Sequence, residues 1–393
     1  MKNKYVILRE STSRSGPRRG PRAGTAAAAE RTIEVEVDEM DRRRSREVAR
    51  SGGVTAVAPV MPMRLIEPVL RAADVVEPTA TTSWGVIAVG ADTSPFDGSG
   101  MVVAVLDTGI DASHPAFAGM QLEQKDFTGA GNGDTHGHGT HCAGTIFGRD
   151  VDGVRIGVAR GVQKALIGKV LGPGGGGSDQ VTNAIQWAVE NGANVISMSL
   201  GIDFPGFVKS LIEQDSLPEE LATTIALEGY RQNVLLFERL TTFVRARAAF
   251  GQAALIVAAA GNESRRDEDP DFEIACSPPA VSEGIISVAA LEESTNGLKV
   301  ANFSNTNALV SGPGVGVVSA KRGGGLISMS GTSMATPHVA GVAALWGQKL
   351  ASPGPLVGEQ WLARLVASAT TTPLATPFDP TDVGAGLVQA PQQ

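Results

Sequence analysis

Five short, mostly apolar runs recur from Trp84 onward: "MVVAVLD", "KALIGKV", "NVISMSL", "ALIVAAAGN" and "GIISVAAL". None alternates polar with apolar residues, so each reads as a strand buried on both faces. Helical patterns lie between them. In "DQVTNAIQWAVENGA", Val181, Ile185, Ala188 and Val189 fall on one face and Gly192 stops the helix. Strands alternating with helices predict an α/β fold of three layers, a mostly parallel central sheet covered on both sides. At 393 residues the chain can bury a sizeable core, and its 48 glycines suit tight turns and close backbone approaches.

The first eighty residues have a different texture. "KYVILRE" and "RTIEVEVDEM", with alternating Ile33, Val35 and Val37, read as strands. "DRRRSREVARSGG" reads as a helix closed by glycine, and "GVTAVAPVMPMRLIEP" as one further strand. The expected organisation is a small βαβ-like α+β domain over 1–72, a linker rich in Ala, Thr and Pro over 73–83, and the main α/β domain over 84–393.

A net charge of −8 and a pI near 5.3 argue against nucleic acid or an anionic membrane as partner. The basic stretch "RSGPRRGPRA", residues 14–23, is interrupted by Pro and Gly and reads as a loop. Two cysteines, Cys142 and Cys276, exclude a disulfide framework. The polar N-terminus lacks the apolar stretch of a signal peptide, and no 18-residue apolar span follows, so the expectation is a soluble, cytoplasmic protein.

Three of the five histidines, His136, His138 and His141, crowd into "DTHGHGTHCAG". On their own they read either as ligands of a metal-dependent hydrolase or as one proton-transferring base with two neighbours. Asp107 ends "MVVAVLD" at the carboxyl edge of the sheet, where open α/β folds place ligands, although an Asp there can simply cap a turn. Ser333 opens the apolar helix of "SGTSMATPHVAGVAALW", whose Val339, Val342, Ala343 and Trp346 share a stripe. It suits an N-cap, and it equally suits a nucleophile beside free helix N–H groups. Asn262, in "VAAAGNES", is either a turn residue beside Gly261 or an amide donor for a developing oxyanion.

Taken together, "VAVLDTGID", "HGTHCAG" and "GTSMATPHVAG", in the order Asp, His, Ser, resemble the subtilisin-like serine proteases, and the resemblance runs from about Trp84 to "DVGAGLVQA". It implies that Asp107 orients His138, that His138 takes the proton of Ser333, and that Asn262 with the Ser333 N–H binds the oxyanion. His136 and His141 become supporting residues; His114 and His338 are read as structural. A catalytically idle peptide-binding module is the remaining rival.

The same resemblance implies a substrate strand flanked by "KVLGPGGGGS", with Gly172 and Gly174, and by "SMSLG". Ser199, Leu200, Gly201, Ala259, Ala260 and Gly261 would wall a roomy pocket for a large apolar residue before the cut. Cys142, in "HGTHC", is similar to a cysteine of the proteinase K branch, and Cys276 is read as a free core thiol. No cofactor is implied for the chemistry. Structural calcium is usual in the family, and Asp150 and Asp152 are the candidates, but Ala116 stands where a ligating Asp is expected. The partners implied are a peptide or protein substrate and the chain's own N-terminal domain as intramolecular inhibitor, cut free within 70–83. The segment 202–240 is longer than a crossover helix needs; its Leu221, Ile225, Leu227, Tyr230, Val234 and Phe237 predict amphipathic helices packing near the pocket.

Overall fold

The structure, a computed structural model, describes residues 2–13, 30–69 and 81–393 apart from 353. The basic stretch 14–23 and most of the expected linker, residues 73–80, lie outside the described residues.

The N-terminal strands β1 (Asn3–Ser13), β2 (Glu30–Met40) and β3 (Val54–Pro59) form a sheet in the order β2-β1-β3, with helix α1 (Arg42–Val48) between β2 and β3 in sequence. Both outer strands run antiparallel to β1, so β2-α1-β3 is a βαβ unit split by the strand between its arms. Period-two alternation gives the sheet two buried faces. Tyr5 and Ile7 pack with Met40 and Val48, while Val6 and Leu8 join the core of the rest of the molecule.

"GVTAVAPVMPMRLIEP" is two strands rather than the single one expected. β3 ends at Pro59, and β4 (Pro62–Leu65) leaves the small sheet altogether to pair elsewhere. An apolar pattern reports burial, not which partner provides it, so a strand that changes sheets at Val60–Met61 reads as continuous.

After α2 (Trp84–Ala88) come β5 (Val102–Asp107), β6 (Gln121–Asp126), α3 (His138–Phe147), β7 (Lys164–Lys169), β8 (Gly176–Gly177), α4 (Ser178–Glu190), β9 (Val195–Met198) and β10 (Leu200–Ile202). These are followed by α5 (Phe204–Glu213), α6 (Glu219–Ala246), β11 (Leu255–Ala259), β12 (Ile285–Ser294), β13 (Gly297–Val300), β14 (Val310–Pro313), α7 (Thr332–Leu350) and α8 (Gly358–Ala367). The central sheet has the order β13-β12-β11-β9-β5-β7-β6, with β14 also on β12, and every pairing except β12 with β13 is parallel. Val103 and Val105 face α3 and α7, whereas Ala104 and Leu106 face α4 and α6. The expected three-layer α/β fold is the one observed.

Two helices differ from expectation in which faces they bury. α7 carries no single apolar stripe: Thr332 through Leu345 are all buried, because the helix runs against the sheet with α3 and α8 beside it. In the segment 202–240, α5 and α6 form as expected, but α6 continues to Ala246 and buries Ala222, Ala226, Gly229, Asn233, Leu236, Phe237 and Leu240, leaving Leu221 and Leu227 exposed. Small residues line that face because β3 and the following turn press on it: a Cβ at Gly229 would stand 3.2 Å from Pro59 Cγ and 3.3 Å from Met61 Sδ. Asn233 donates to Pro59 O at 2.9 Å, and Arg42 pairs with Glu228. The longer helix therefore serves as the platform on which the N-terminal module sits.

Both cysteines are buried free thiols. Among the described residues no helix is long and apolar enough to cross a membrane.

Candidate active site

Asp107 is the last residue of β5 and His138 the first of α3. Gly137, the N-cap of α3, has φ +106°, a left-handed conformation that turns the chain sharply into the helix. Glycine is equally needed at 139, where a Cβ would stand 2.2 Å from Gly109 O and 3.2 Å from Asp107 Oδ1. The buried pair that results has Asp107 Oδ1 2.8 Å from His138 Nδ1, and the same oxygen accepts from Thr108 N at 2.8 Å.

Asp134, to which the sequence reading gave no role, ties these parts together. Its Oδ1 accepts from Thr108 Oγ1, His136 N and Gly137 N, and its Oδ2 from Thr140 N and Oγ1. Burial pushes this carboxyl upward, but the donors around it outweigh burial and hold it below its ordinary value. The only sequence signal was an Asp four residues before His138, which a motif reading passes over.

Burial works against charge on His138, yet the Asp107 carboxylate overcomes it and raises the imidazole well above its ordinary value. Cys142 Sγ lies 3.8 Å from His138 Nδ1 and 3.4 Å from Ser333 O. Burial pushes that thiol up, so it remains a neutral packing group.

The histidine cluster does not form a metal site. His141 Nε2 bonds Val317 O at 3.0 Å, and burial lowers the ring to about 3, leaving it neutral. His136 is exposed, with its Nε2 3.6 Å from Glu67 Oε2. Among the described residues, the only three His, Cys, Asp or Glu groups whose ligand atoms converge are Asp107, His138 and Cys142. His114 accepts from Ala116 N at a helix start, and buried His338 bonds Met334 O; both act structurally. Asp150 and Asp152 belong to no set of three converging His, Cys, Asp or Glu groups among the described residues, and the Asp150 carboxylate faces Arg160 at 3.5 Å.

The cleft beside these residues is filled by the chain itself. β4 lies antiparallel between β10 and β8, with Leu65 opposite Leu200, Arg64 opposite Gly201, and Met63 opposite both Ile202 and Gly176. The expected edge residues Gly172 and Gly174 are displaced from this pairing: Gly172 bonds Gly175 in both directions around a tight turn, and the pairing edge is Gly176–Gly177. A glycine run fixes no register, because it has no side chains to choose one.

Ile66 N donates to Ser199 O at 3.4 Å, and a Cβ at Gly201 would meet Ile66 Cδ1 at 3.9 Å. Ile66 is thus buried in the pocket bordered by Ser199, Leu200 and Gly201; Ala259, the last residue of β11, and Ala260 after it are buried as well. Ser333 is the second residue of α7, after the N-cap Gly331, so it does not cap the helix. Its Oγ donates to Ile66 O at 2.9 Å, while buried His138 Nε2 has no hydrogen-bond partner among the described residues. Asn262 Oδ1 accepts from Thr332 N and Oγ1, which aims its amide into the cleft, where Nδ2 donates to Glu67 O at 2.9 Å. Val69 N donates to Ser330 O at 2.8 Å, so residues 62–69 thread the whole groove.

Residues 98–386 match the model of the subtilase family. The chain is 34% identical over 255 residues to an intracellular serine protease of Paenibacillus polymyxa, covering 63% of this chain and 67% of that one. It is 34% identical over 271 residues to a thermostable alkaline protease of Halalkalibacterium halodurans, covering 67% and 62% respectively. Among solved structures it is similar to fervidolysin from Fervidobacterium pennivorans, a keratinolytic enzyme related to subtilisin, with a TM-score of 0.64 at 22% identity over 99% of this chain and 60% of that one. The alignments span between 52% and 68% of the curated relatives' own length. With nearly three quarters of its length matched by that one family model, the chain belongs to the subtilase family of subtilisin-like serine proteases.

Proposed function

We propose that the chain is a serine endopeptidase and that its N-terminal module, residues 1–72, is its own intramolecular inhibitor. One observation carries both parts: residues 62–69 occupy the groove as a substrate strand would, with the Ile66 carbonyl at Ser333 Oγ. In the proposed reaction His138 Nε2 takes the Ser333 proton as Oγ bonds to the scissile carbonyl carbon, and Asp107 stabilises the imidazolium. Asn262 Nδ2 and the Ser333 N–H receive the oxyanion. His138 then protonates the leaving amine, and a water hydrolyses the acyl-enzyme by the same steps. No cofactor enters this scheme.

The docked segment is offset from attack by one carbonyl. Ser333 Oγ donates to Ile66 O, the oxygen that would need the oxyanion hole, while Asn262 Nδ2 serves Glu67 O. This offset supports an inhibited resting form whose scissile bond is Ile66–Glu67, upstream of the 70–83 segment expected from sequence. Ile66 in the pocket supports a preference for a large apolar residue before the cut. The word intracellular in two relatives' names supports action in the cytoplasm.

A serine-reactive phosphonate tests the reading. It should label Ser333 alone and abolish peptide hydrolysis. An idle binding module would remain unlabelled, and chelator-sensitive activity without labelling would require a metal mechanism instead.

The pH profile is a second test. Imidazolium cannot accept the Ser333 proton, so kcat/KM should rise with pH as His138 loses its proton. Because the folded value is raised above 6.5, the midpoint of that limb should lie on the alkaline side of 6.5. A limb centred below 6.5 would show that the Asp107 carboxylate does not dominate the site.

A further inference from the structure

We infer that Asp203 and Glu263 form an acidic clamp that selects an Arg or Lys side chain at the third residue before the cut. The inference rests on the endopeptidase reading and on the docked strand as a guide to substrate register.

With Ile66 in the pocket before the cut, the third position back is Arg64. Its neighbours Met63 and Leu65 are buried, while its guanidinium spans two carboxylates, with Nη1 3.3 Å from Asp203 Oδ1 and Nη2 2.8 Å from Glu263 Oε1. These carboxylates come from two separate segments of the chain. Asp203 follows β10 directly, and Glu263 follows Asn262 beyond β11.

Each carboxylate is fixed by contacts that do not involve Arg64. Asp203 is the N-cap of α5 and accepts from Gly206 N at 3.1 Å, so the inserted helix orients it. Glu263 Oε2 accepts from Asn305 Nδ2 at 2.7 Å, leaving Oε1 for the guanidinium. Asn305 is buried and is held in turn, its Oδ1 accepting from Glu263 N and Ser264 N. Two anchored anions converging on one side chain favour a long cation over a neutral or acidic side chain. Asp203 also gives the 202–240 segment a part in specificity beyond packing.

The three side chains are 44%, 28% and 36% exposed, so solvent screens the clamp and the effect is one of preference rather than absolute demand. Internally quenched peptides of sequence Pro-Met-X-Leu-Ile-Glu-Pro, with X as Arg, Lys, Gln or Glu, supply the test on the full chain after its activity has reached a plateau. Arg and Lys peptides should exceed the Gln peptide in kcat/KM by roughly three- to thirty-fold, the span of two exposed ion pairs acting together, and the margin should shrink in high salt. Asp203→Asn combined with Glu263→Gln should remove most of that margin. The single change Glu263→Gln, which leaves the helix cap intact, should remove part of it.

Equal cleavage of Arg, Gln and Glu peptides by the wild type would overturn the clamp while leaving the endopeptidase reading intact. An Arg preference that survives in both variants would overturn it as well. Failure of the wild type to cut any peptide in a Ser333-dependent manner would instead overturn the underlying reading.

Discussion

Replacing Ser333 by alanine should lower kcat by about 10⁶, the loss known for the same replacement in subtilisin, and leave the protein folded. The side chain is fully buried, and the hydroxyl makes one direct hydrogen bond, to Ile66 O, worth about 1 kcal/mol. Alanine suits the second position of a helix, so thermal unfolding should change little. The variant should also remain a single chain by intact mass. Wild type handled identically should divide after Ile66, giving 1–66 and 67–393. A new end within 70–83 would favour the linker over the docked strand as the cleavage site. Wild type that stays whole yet hydrolyses peptides would make the module a non-covalent regulator. Near-full activity in the variant would end the nucleophile assignment.

The parallel sheet was legible because its strands are apolar on both faces, and only a sheet covered twice asks for that. Val103 with Val105 and Ala104 with Leu106 serve different cores, yet all four had to be apolar. The same signal misled at "GVTAVAPVMPMRLIEP", where burial continues through a change of sheet, and at α7, where the stripe sits in a helix buried all round. α6 was legible as a helix but not in its orientation, since the face that packs is defined by the small residues Ala222, Ala226 and Gly229 rather than by the large ones.

At the site, the residues that carry family motifs were legible in the sequence as candidates, and those defined by geometry were not. Asp134 gathers five donors from three separate stretches of backbone and side chain, an arrangement that exists only once the turn before α3 has formed. The pairing edge at Gly176–Gly177 was missed for the opposite reason: five neighbouring residues of the run "GPGGGG" are glycine and offer no feature that distinguishes one register from another. The Arg64 contacts depend on two carboxylates sixty residues apart in sequence, which only the folded chain brings to one guanidinium.

Asn262→Ala should cost about 10²–10³ in kcat, or about 2.7–4 kcal/mol, the range for removing one oxyanion donor. The amide is oriented before any substrate arrives, because Thr332 N and Oγ1 donate to its Oδ1 at 2.9 and 2.8 Å and leave Nδ2 facing the groove. A donor fixed in this way acts on charge that develops during reaction, so the loss should fall on kcat and leave KM nearly unchanged. Asn262→Asp sharpens the test. It keeps the size and both Thr332 contacts but exchanges the donor for an anion, so its kcat should be no higher than that of the alanine variant. If the hydrogen bond to Glu67 O helps to hold the docked strand, both variants should also release that strand more readily, visible as faster hydrogen exchange at the backbone amides of residues 62–69 in the uncut chain. Values of kcat within about tenfold of wild type for both variants would mean that the oxyanion is held elsewhere, and that the Asn262 amide serves the resting strand rather than the reaction.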